Sequence, residues 1–335
     1  GEEVYREDVL PGAILTRVAQ SHLRIGTFEY FAVRRDIEAL EILISFAIER
    51  HFPEFLGDPH PAKKLLECVL RRQSTLVAKW ISVGFVHGVM NTDNTSIAGE
   101  TIDYGPCAFI DTYRADKVFS SIDHAGRYAF MNQPDIVQWN LTQLAQCLLP
   151  LIDEKTDSAV SIAKDIIGRF PKIFAEDLGR EFAHKLGLAC ETPQGLRIAF
   201  KLLELMSDHL ADFTLTFRYL ADAVPSDEAA GLFMQQFEQP TAVRDWLSQW
   251  RSRVTQDNQS MVTAQQKLLA ANPAVIARNH LVEEAIRSAE DHGNFAPFHE
   301  LIAELGEPFT ERSDQSKYVR PASPAEEVKM TFCGT

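Results

Sequence analysis

The sequence predicts a mainly α-helical protein with a small β contribution near its N-terminal end. Two observations carry that prediction. Apolar residues recur at helical spacing at Ile37, Leu40, Ile44 and Ile48, and a longer helical run follows over about 61–87. From residue 153 onward strand signals are nearly absent, and Pro171, Pro193, Pro225, Pro240, Pro273 and Pro297 fall where helices would start or stop.

In chain order, Pro11 and Gly12 supply a turn, and the alternating, β-favouring residues 13–19 (AILTRVA) predict a strand. The helix over 34–51 ends at His51, Phe52 and Pro53. Asp58, Pro59, His60 and Pro61 open the long helix. A loop rich in Gly, Thr, Ser and Asn occupies 88–107. Pro134 starts another helix, through Leu144 and Leu148 to about Leu151. From about 307 the chain turns polar, with Pro308, Pro321 and Pro324, and predicts an extended tail.

The 335 residues accommodate two domains or one large one. A formal net charge of −14 disfavours general nucleic-acid binding, which needs clustered Lys and Arg against phosphates. No apolar run approaches the roughly 20 residues of a membrane span, so no membrane partner is expected. Cys68, Cys107, Cys147, Cys190 and Cys333 form no CxxC pair, which argues against a zinc ribbon or a thioredoxin-type motif. Such a scattered, odd set reads as reduced and intracellular. Trp246 and Trp250, four apart on a helix, read as packing.

The chemistry concentrates in residues 80–111, WISVGFVHGVMNTDNTSIAGETIDYGPCAFID. An apolar helix ends in a small-residue loop carrying Asp93 and Asn94, and Asp103, Tyr104 and Gly105 follow. Carboxylate and amide oxygens on a turn suit a hard cation such as Mg²⁺. A polar turn that merely caps itself is the competing reading. Against the kinase catalytic loop H-R-D-x-x-x-x-N, residues 87–94 read H-G-V-M-N-T-D-N. His87 and Asn94 match, Val89 stands at the catalytic Asp position, and Asp103-Tyr-Gly replaces Asp-Phe-Gly. The metal-holding parts are present while the usual base is missing, which argues against a plain kinase. Asp93 is the acid in the loop able to replace that base. His87, at the end of an apolar helix, reads as structural, and Cys107 as a buried inert thiol.

These residues closely resemble the selenoprotein O (YdiU) family. The likeness runs through REDVLPGAILTRVAQSHLRIGTFEYFA, GFVHGVMNTDNTSIAGETIDYGPCAFID, FSSIDHAGRYAFMNQP, WNLTQLAQCLLPLI and NPAVIARNHLVEEAI, and includes a lone Cys333 near the end. The resemblance implies a protein-kinase-like C-terminal lobe within residues 1–155, a helical extension over 156–306 and a tail over 307–335. The complete fold would be α+β, with a nucleotide-binding N-terminal lobe that this chain, opening on Gly1, Glu2 and Glu3 without Met, would largely lack; such a chain is expected to bind nucleotide poorly. The implied activity is metal-dependent transfer of AMP from ATP to Ser, Thr or Tyr hydroxyls of proteins. By the family pattern Asp93 is the proton acceptor. Asn94 and Asp103 hold Mg²⁺ or Mn²⁺, Arg17, Arg24 and Asp103 contact the nucleotide, and Cys333 is a candidate redox residue. Without the resemblance the two arginines read as surface ion pairs. UMP transfer from UTP, residual kinase activity and a nucleotide-binding pseudokinase scaffold are the alternatives. The expected location is the cytoplasm of a bacterium, or the mitochondrion in a eukaryote.

Overall fold

A computed structural model describes residues 2–5, 9–257 and 260–332. Among them are two short antiparallel strand pairs and thirteen α-helices. β1 (Glu3–Tyr5) pairs with β2 (Val9–Pro11) ahead of α1 (Ile25–Val33), α2 (Ile37–His51) and α3 (Pro61–Val83). β3 (Phe85–Val86) pairs with β4 (Ala108–Phe109), and α4 (Gln133–Ile152) follows. The helical extension comprises α5 (Thr156–Ile167), α6 (Phe170–Lys185), α7 (Pro193–Asp208), α8 (Phe213–Tyr219), α9 (Gly231–Met234), α10 (Pro240–Gln256), α11 (Met261–Ala271), α12 (Asn279–His292) and α13 (Ala296–Leu305).

α3 is the element the others pack around. Its buried stripe, Leu65, Leu66, Val69, Leu70, Val77, Ala78 and Ile81, follows the i, i+3, i+4 rule and meets α4, α6 and α2. Each fully buried Leu or Val contributes about 1.5–3 kcal/mol relative to exposure. Pro61 starts the helix, where a missing N–H costs nothing. Gly84 stops it at φ +75°, and a Cβ there would lie 2.9 Å from side-chain carbons of Ile110 and Phe213. The helix therefore ends earlier than the sequence reading, and Phe85 and Val86 pair with Phe109 and Ala108 instead. α2 opens three residues later than the sequence reading, where the Asp36 carboxylate accepts the Ala39 N–H at 3.0 Å. Prolines stand in the first turns of α4, α6, α7, α10 and α13.

Two local readings need correction. Residues 13–19 form no strand: Ile14, Leu15 and Val18 are 90% or more exposed, and no described strand lies beside them to take up their backbone groups. α1 was not anticipated, because IGTFEYFAV is rich in aromatic and β-branched residues of low helix propensity. Packing of Ile25 and Phe28 into the core, with α1 against α4, holds it helical.

Trp246 and Trp250 do pack. Their rings stack at 6.0 Å and their N–H groups donate to Ile198 O and Leu186 O, both at 2.9 Å. The described part of the tail has no helix, as expected, yet it is anchored. Val319 is buried, its carbonyl accepts from Arg278 Nε at 3.0 Å, and Tyr219 donates to Asp314 at 3.0 Å. Cys333 lies outside the described residues.

Candidate active site in the loop between two paired strands

The β3–β4 pair closes the base of a long loop, residues 87–107, and neighbouring helices fix that loop through its backbone. From α4, the Gln133 carboxamide accepts the His87 N–H at 3.0 Å and donates to Phe85 O and Phe130 O. One face further along α4, Asn140 donates to Met90 O at 2.9 Å and Thr95 Oγ1 at 2.8 Å. From α3, Gln73 donates to Ser96 O at 2.6 Å and Trp80 to Thr101 Oγ1 at 2.9 Å. Buried carbonyls are thereby satisfied without regular structure.

His87 is fully buried and packed on Trp80. Its Nε2 lies 2.8 Å from Ile102 O, and its Nδ1 accepts the Val89 N–H at 3.4 Å. That pairing requires a neutral ring protonated at Nε2. Burial lowers its pKa, outweighing the carbonyl and Asp103. The ring is structural, as read, and it links the Val89 turn to the residue just before Asp103.

Asp103 is half-buried and holds φ +60°, a left-handed backbone that a non-glycine residue adopts only where its surroundings enforce it. Its carboxylate has no hydrogen bond among the described residues. Asp93 and Asn94 occupy a 3-10 turn, Thr92–Asn94. Asn94 donates Nδ2–H to Val89 O at 3.1 Å, which leaves Oδ1 free as an acceptor. Asn94 and Asp103 thus both connect to the Val89–His87 unit.

Asp93 is 67% exposed at its side chain and sits against the first turn of α1, the end of a helix that complements negative charge. Gly26 makes the approach feasible, because a Cβ there would fall 2.2 Å from Asp93 Oδ1. Arg24, the residue before α1, donates to Asp93 O at 3.1 Å and lies 3.9 Å from Oδ1. Its backbone is tied to the same loop, since Arg24 bridges Ser96 and the Ile25 N–H donates to Thr95 O at 3.0 Å.

The structure therefore groups Asp93, Asn94 and Arg24, with Asp103 joined to them through His87. Arg17 is not brought to them by any contact; it lies in the exposed segment before α1. Cys107 is half-buried rather than buried, donates to Tyr104 O at 3.3 Å, and burial pushes its thiol pKa up to about 11, as an inert thiol requires. The described residues hold no group of three or more His, Cys, Asp or Glu able to cage a metal. The Asn94 Oδ1 and the Asp103 carboxylate, neither in a hydrogen bond among the described residues, are oxygen donors of the type a hard cation takes.

Sequence reasoning missed Gln133, Asn140 and Gly26. Gln133 and Asn140 lie on the buried face of α4 seven residues apart, Asn140 between Val137 and Leu144, and polar residues on an apolar stripe were the available signal. Gly26 gave none, since its partner lies far along the chain.

A sequence profile described as "Protein adenylyltransferase SelO" matches residues 1–306. Proteins named "Protein nucleotidyltransferase YdiU" from Nitrobacter hamburgensis and Bradyrhizobium diazoefficiens are 48% and 49% identical over all 335 residues, which make up 66% and 68% of their lengths. One from Rhodopseudomonas palustris is 49% identical over the same span, 68% of its length. The chain thus spans about two thirds of the length of these relatives. With the profile covering most of the sequence and near-half identity along all of it, the chain belongs to the SelO family.

Proposed function

We propose that this chain supplies the proton acceptor, the metal ligands and a phosphate-contacting arginine of a protein adenylyltransferase with a kinase-like arrangement. AMP passes from ATP to a Ser, Thr or Tyr hydroxyl of a protein. The observation that carries the reading is the exposed Asp93 carboxylate, beside Arg24 and in one turn with Asn94.

Asp93 accepts the proton of the incoming hydroxyl, and its exposure suits an acceptor that belongs to another macromolecule. The oxygen attacks the α-phosphorus of ATP, the bond to the bridging oxygen breaks, and pyrophosphate leaves. Asn94 Oδ1 and the Asp103 carboxylate would hold Mg²⁺ or Mn²⁺. When bound, that ion neutralises charge on the phosphate oxygens. Arg24 presents its remaining N–H groups to the phosphates while one holds the Asp93 carbonyl. Arg17 is assigned to the same nucleotide on the family pattern alone.

The family description says adenylyl and the relatives' names say only nucleotidyl, so UMP transfer from UTP is the second reading. The test uses protein of the relatives' full length, incubated with α-labelled or γ-labelled ATP and with α-labelled UTP. Protein label from α-labelled ATP alone is the expected result. Label from γ-labelled ATP means a kinase, preferential label from UTP means uridylyl transfer, and nucleotide binding without label means a scaffold.

A further inference from the structure

α4 has two working faces. One carries Asn140 and the buried stripe that holds the candidate active-site loop. The opposite face runs through Gln138, Thr142, Ala145, Gln146 and Leu149, at i, i+4, i+7, i+8 and i+11, and lines a cavity of about 500 Å³. The facing wall is a single stripe of α5, Val160, Ala163, Lys164 and Ile167. Ala145 and Ala163, both buried, face the cavity from the two helices, and side chains this small leave space that larger ones would fill.

The lining is mostly carbon, and its polar groups are few. Lys164 is the one charged residue among them, and its ammonium makes no ion pair among the described residues. No carboxylate lines the cavity, although the whole chain carries a formal charge of −14. The side-chain amides of Gln138 and Gln146 have no hydrogen-bond partner among the described residues, whereas Thr142 donates its hydroxyl to Gln138 O at 2.9 Å. An apolar cavity of this size with a few polar groups has the make-up of a small-molecule site. Its walls suit a hydrocarbon chain. One uncompensated cation beside two free amides suits a single anionic head that accepts hydrogen bonds.

We propose that the cleft between α4 and α5 binds an alkyl carboxylate, with its chain against Ala145, Leu149, Val160 and Ile167 and its head on Lys164 and the amides of Gln138 and Gln146. The site lies on the face of α4 turned away from Asn140, so it is separate from the candidate active site. It does not depend on the transfer reading.

The test is isothermal titration calorimetry of the whole chain with octanoate, decanoate and decyltrimethylammonium, each below its micelle concentration. Decanoate should saturate a single site and bind roughly tenfold more tightly than octanoate, which is the weight of two further buried methylenes. The cationic probe has the same chain and should bind about tenfold more weakly, because it meets Lys164 with like charge. Lys164→Glu, at an exposed position where substitution seldom affects folding, should reverse that order. Leu149→Trp fills the cavity from its half-buried wall and should abolish binding of both probes, with urea unfolding showing that each variant is folded. If Leu149→Trp does not fold, Lys164→Glu alone decides. Absence of saturable decanoate binding to the parent overturns the proposal and leaves the groove to a helix of a partner protein. Equal binding of the two decyl probes, or an order that Lys164→Glu leaves unchanged, overturns it as well, because the binding is then unspecific adsorption.

Discussion

The candidate active-site loop and the helical extension both bury polar side chains, and among the described residues the buried Lys, Arg and Asp all belong to the extension. Around the loop the fully buried side chains that grip its backbone are neutral, Gln73, His87, Gln133 and Asn140, while Arg72 and Arg24, only partly buried, donate to Ala98 O and Asp93 O. In the extension neutral anchors, Trp246, Trp250 and Asn272, are joined by buried charged ones at helix ends. Arg218 donates to Leu269 O and Asn272 O at the C-terminus of α11, where a cation complements the helix dipole. Arg278, 1% exposed, pairs with Asp111 and with Asp212, the latter at 2.8 Å, while Asp212 caps α8 through the Leu215 N–H. Neutral anchors fix a loop without adding fixed charge beside a phosphate or metal site. On the proposed reading, the charges that remain there, Asp93, Asp103 and Arg24, carry the chemistry. Charged anchors in the extension belong to architecture, and removing one partner leaves an uncompensated buried charge.

The strongest way to break this contrast is to remove the loop's own charges. Asp93→Ala should lower α-label incorporation by about 10²–10⁴-fold, the usual weight of a general base, with nucleotide affinity little changed. Thermal stability should stay within about 0.5 kcal/mol, since this side chain is 67% exposed. Asp103→Ala should lose both turnover and metal–nucleotide affinity, and Asn94→Ala should fall between. An Asp93→Ala enzyme with full activity would make the loop a clamp only, with the proton passing to water or to the substrate phosphate.

In the extension the corresponding test is Arg278→Met. It strands the carboxylates of Asp111 and Asp212, whose side chains are 21% and 6% exposed, and should cost about 3–5 kcal/mol in urea unfolding. Adding Asp212→Asn should recover part of that loss. A cost below about 1 kcal/mol would mean that the joint between loop and extension is held by packing instead.

The same contrast decides what was legible in the sequence. Helices α2, α3 and α4 were, because each carries its own apolar stripe, and α3 and α4 also their start signals at Pro61 and Pro134. So was the placing of Asp93, Asn94 and Asp103 on one loop, since they lie close together in sequence. α1, the coil at 13–19 and the return of the tail were not, because long-range contacts decide each of them. Local alternation promised a strand at 13–19, but a strand exists only beside a partner. The Gly26–Asp93 contact and the Arg278 hub join residues distant in sequence, and neither leaves a local pattern to find.

A smaller change sharpens the loop side. Gly26→Ala improves helix propensity in α1, worth up to about 1 kcal/mol. Its new Cβ would fall 2.2 Å from Asp93 Oδ1 and 2.9 Å from Cγ, so the carboxylate must swing away. Turnover should fall roughly tenfold or more, because displacing a catalytic group by about 1 Å is costly, while the unfolding midpoint holds or rises. Full activity in this variant would show that the placement of Asp93 against α1 is incidental.

On the extension side Lys185 is read as a slope with pH. Its ammonium is buried between Phe213 and Phe217, and it donates to Asn272 Oδ1 at 2.8 Å. Burial pushes its pKa down from about 10.5 to about 7, with Glu181 opposing. Below pH 7 both folded and unfolded chains carry the proton, and the folded state bears the full cost of a buried charge. Between about 7 and 10.5 the unfolded chain binds more protons than the folded one, so this group makes the protein more stable as pH rises. Lys185→Met should remove that slope. Tyrosines and thiols titrate in the same window, so the informative quantity is the difference between parent and variant in unfolding free energy, followed from pH 6.5 to about 9. That difference should shift toward the parent as pH rises. A flat difference would mean that Lys185 stays charged in the folded state, paired like Arg278, and that the extension buries its cations fully ionised.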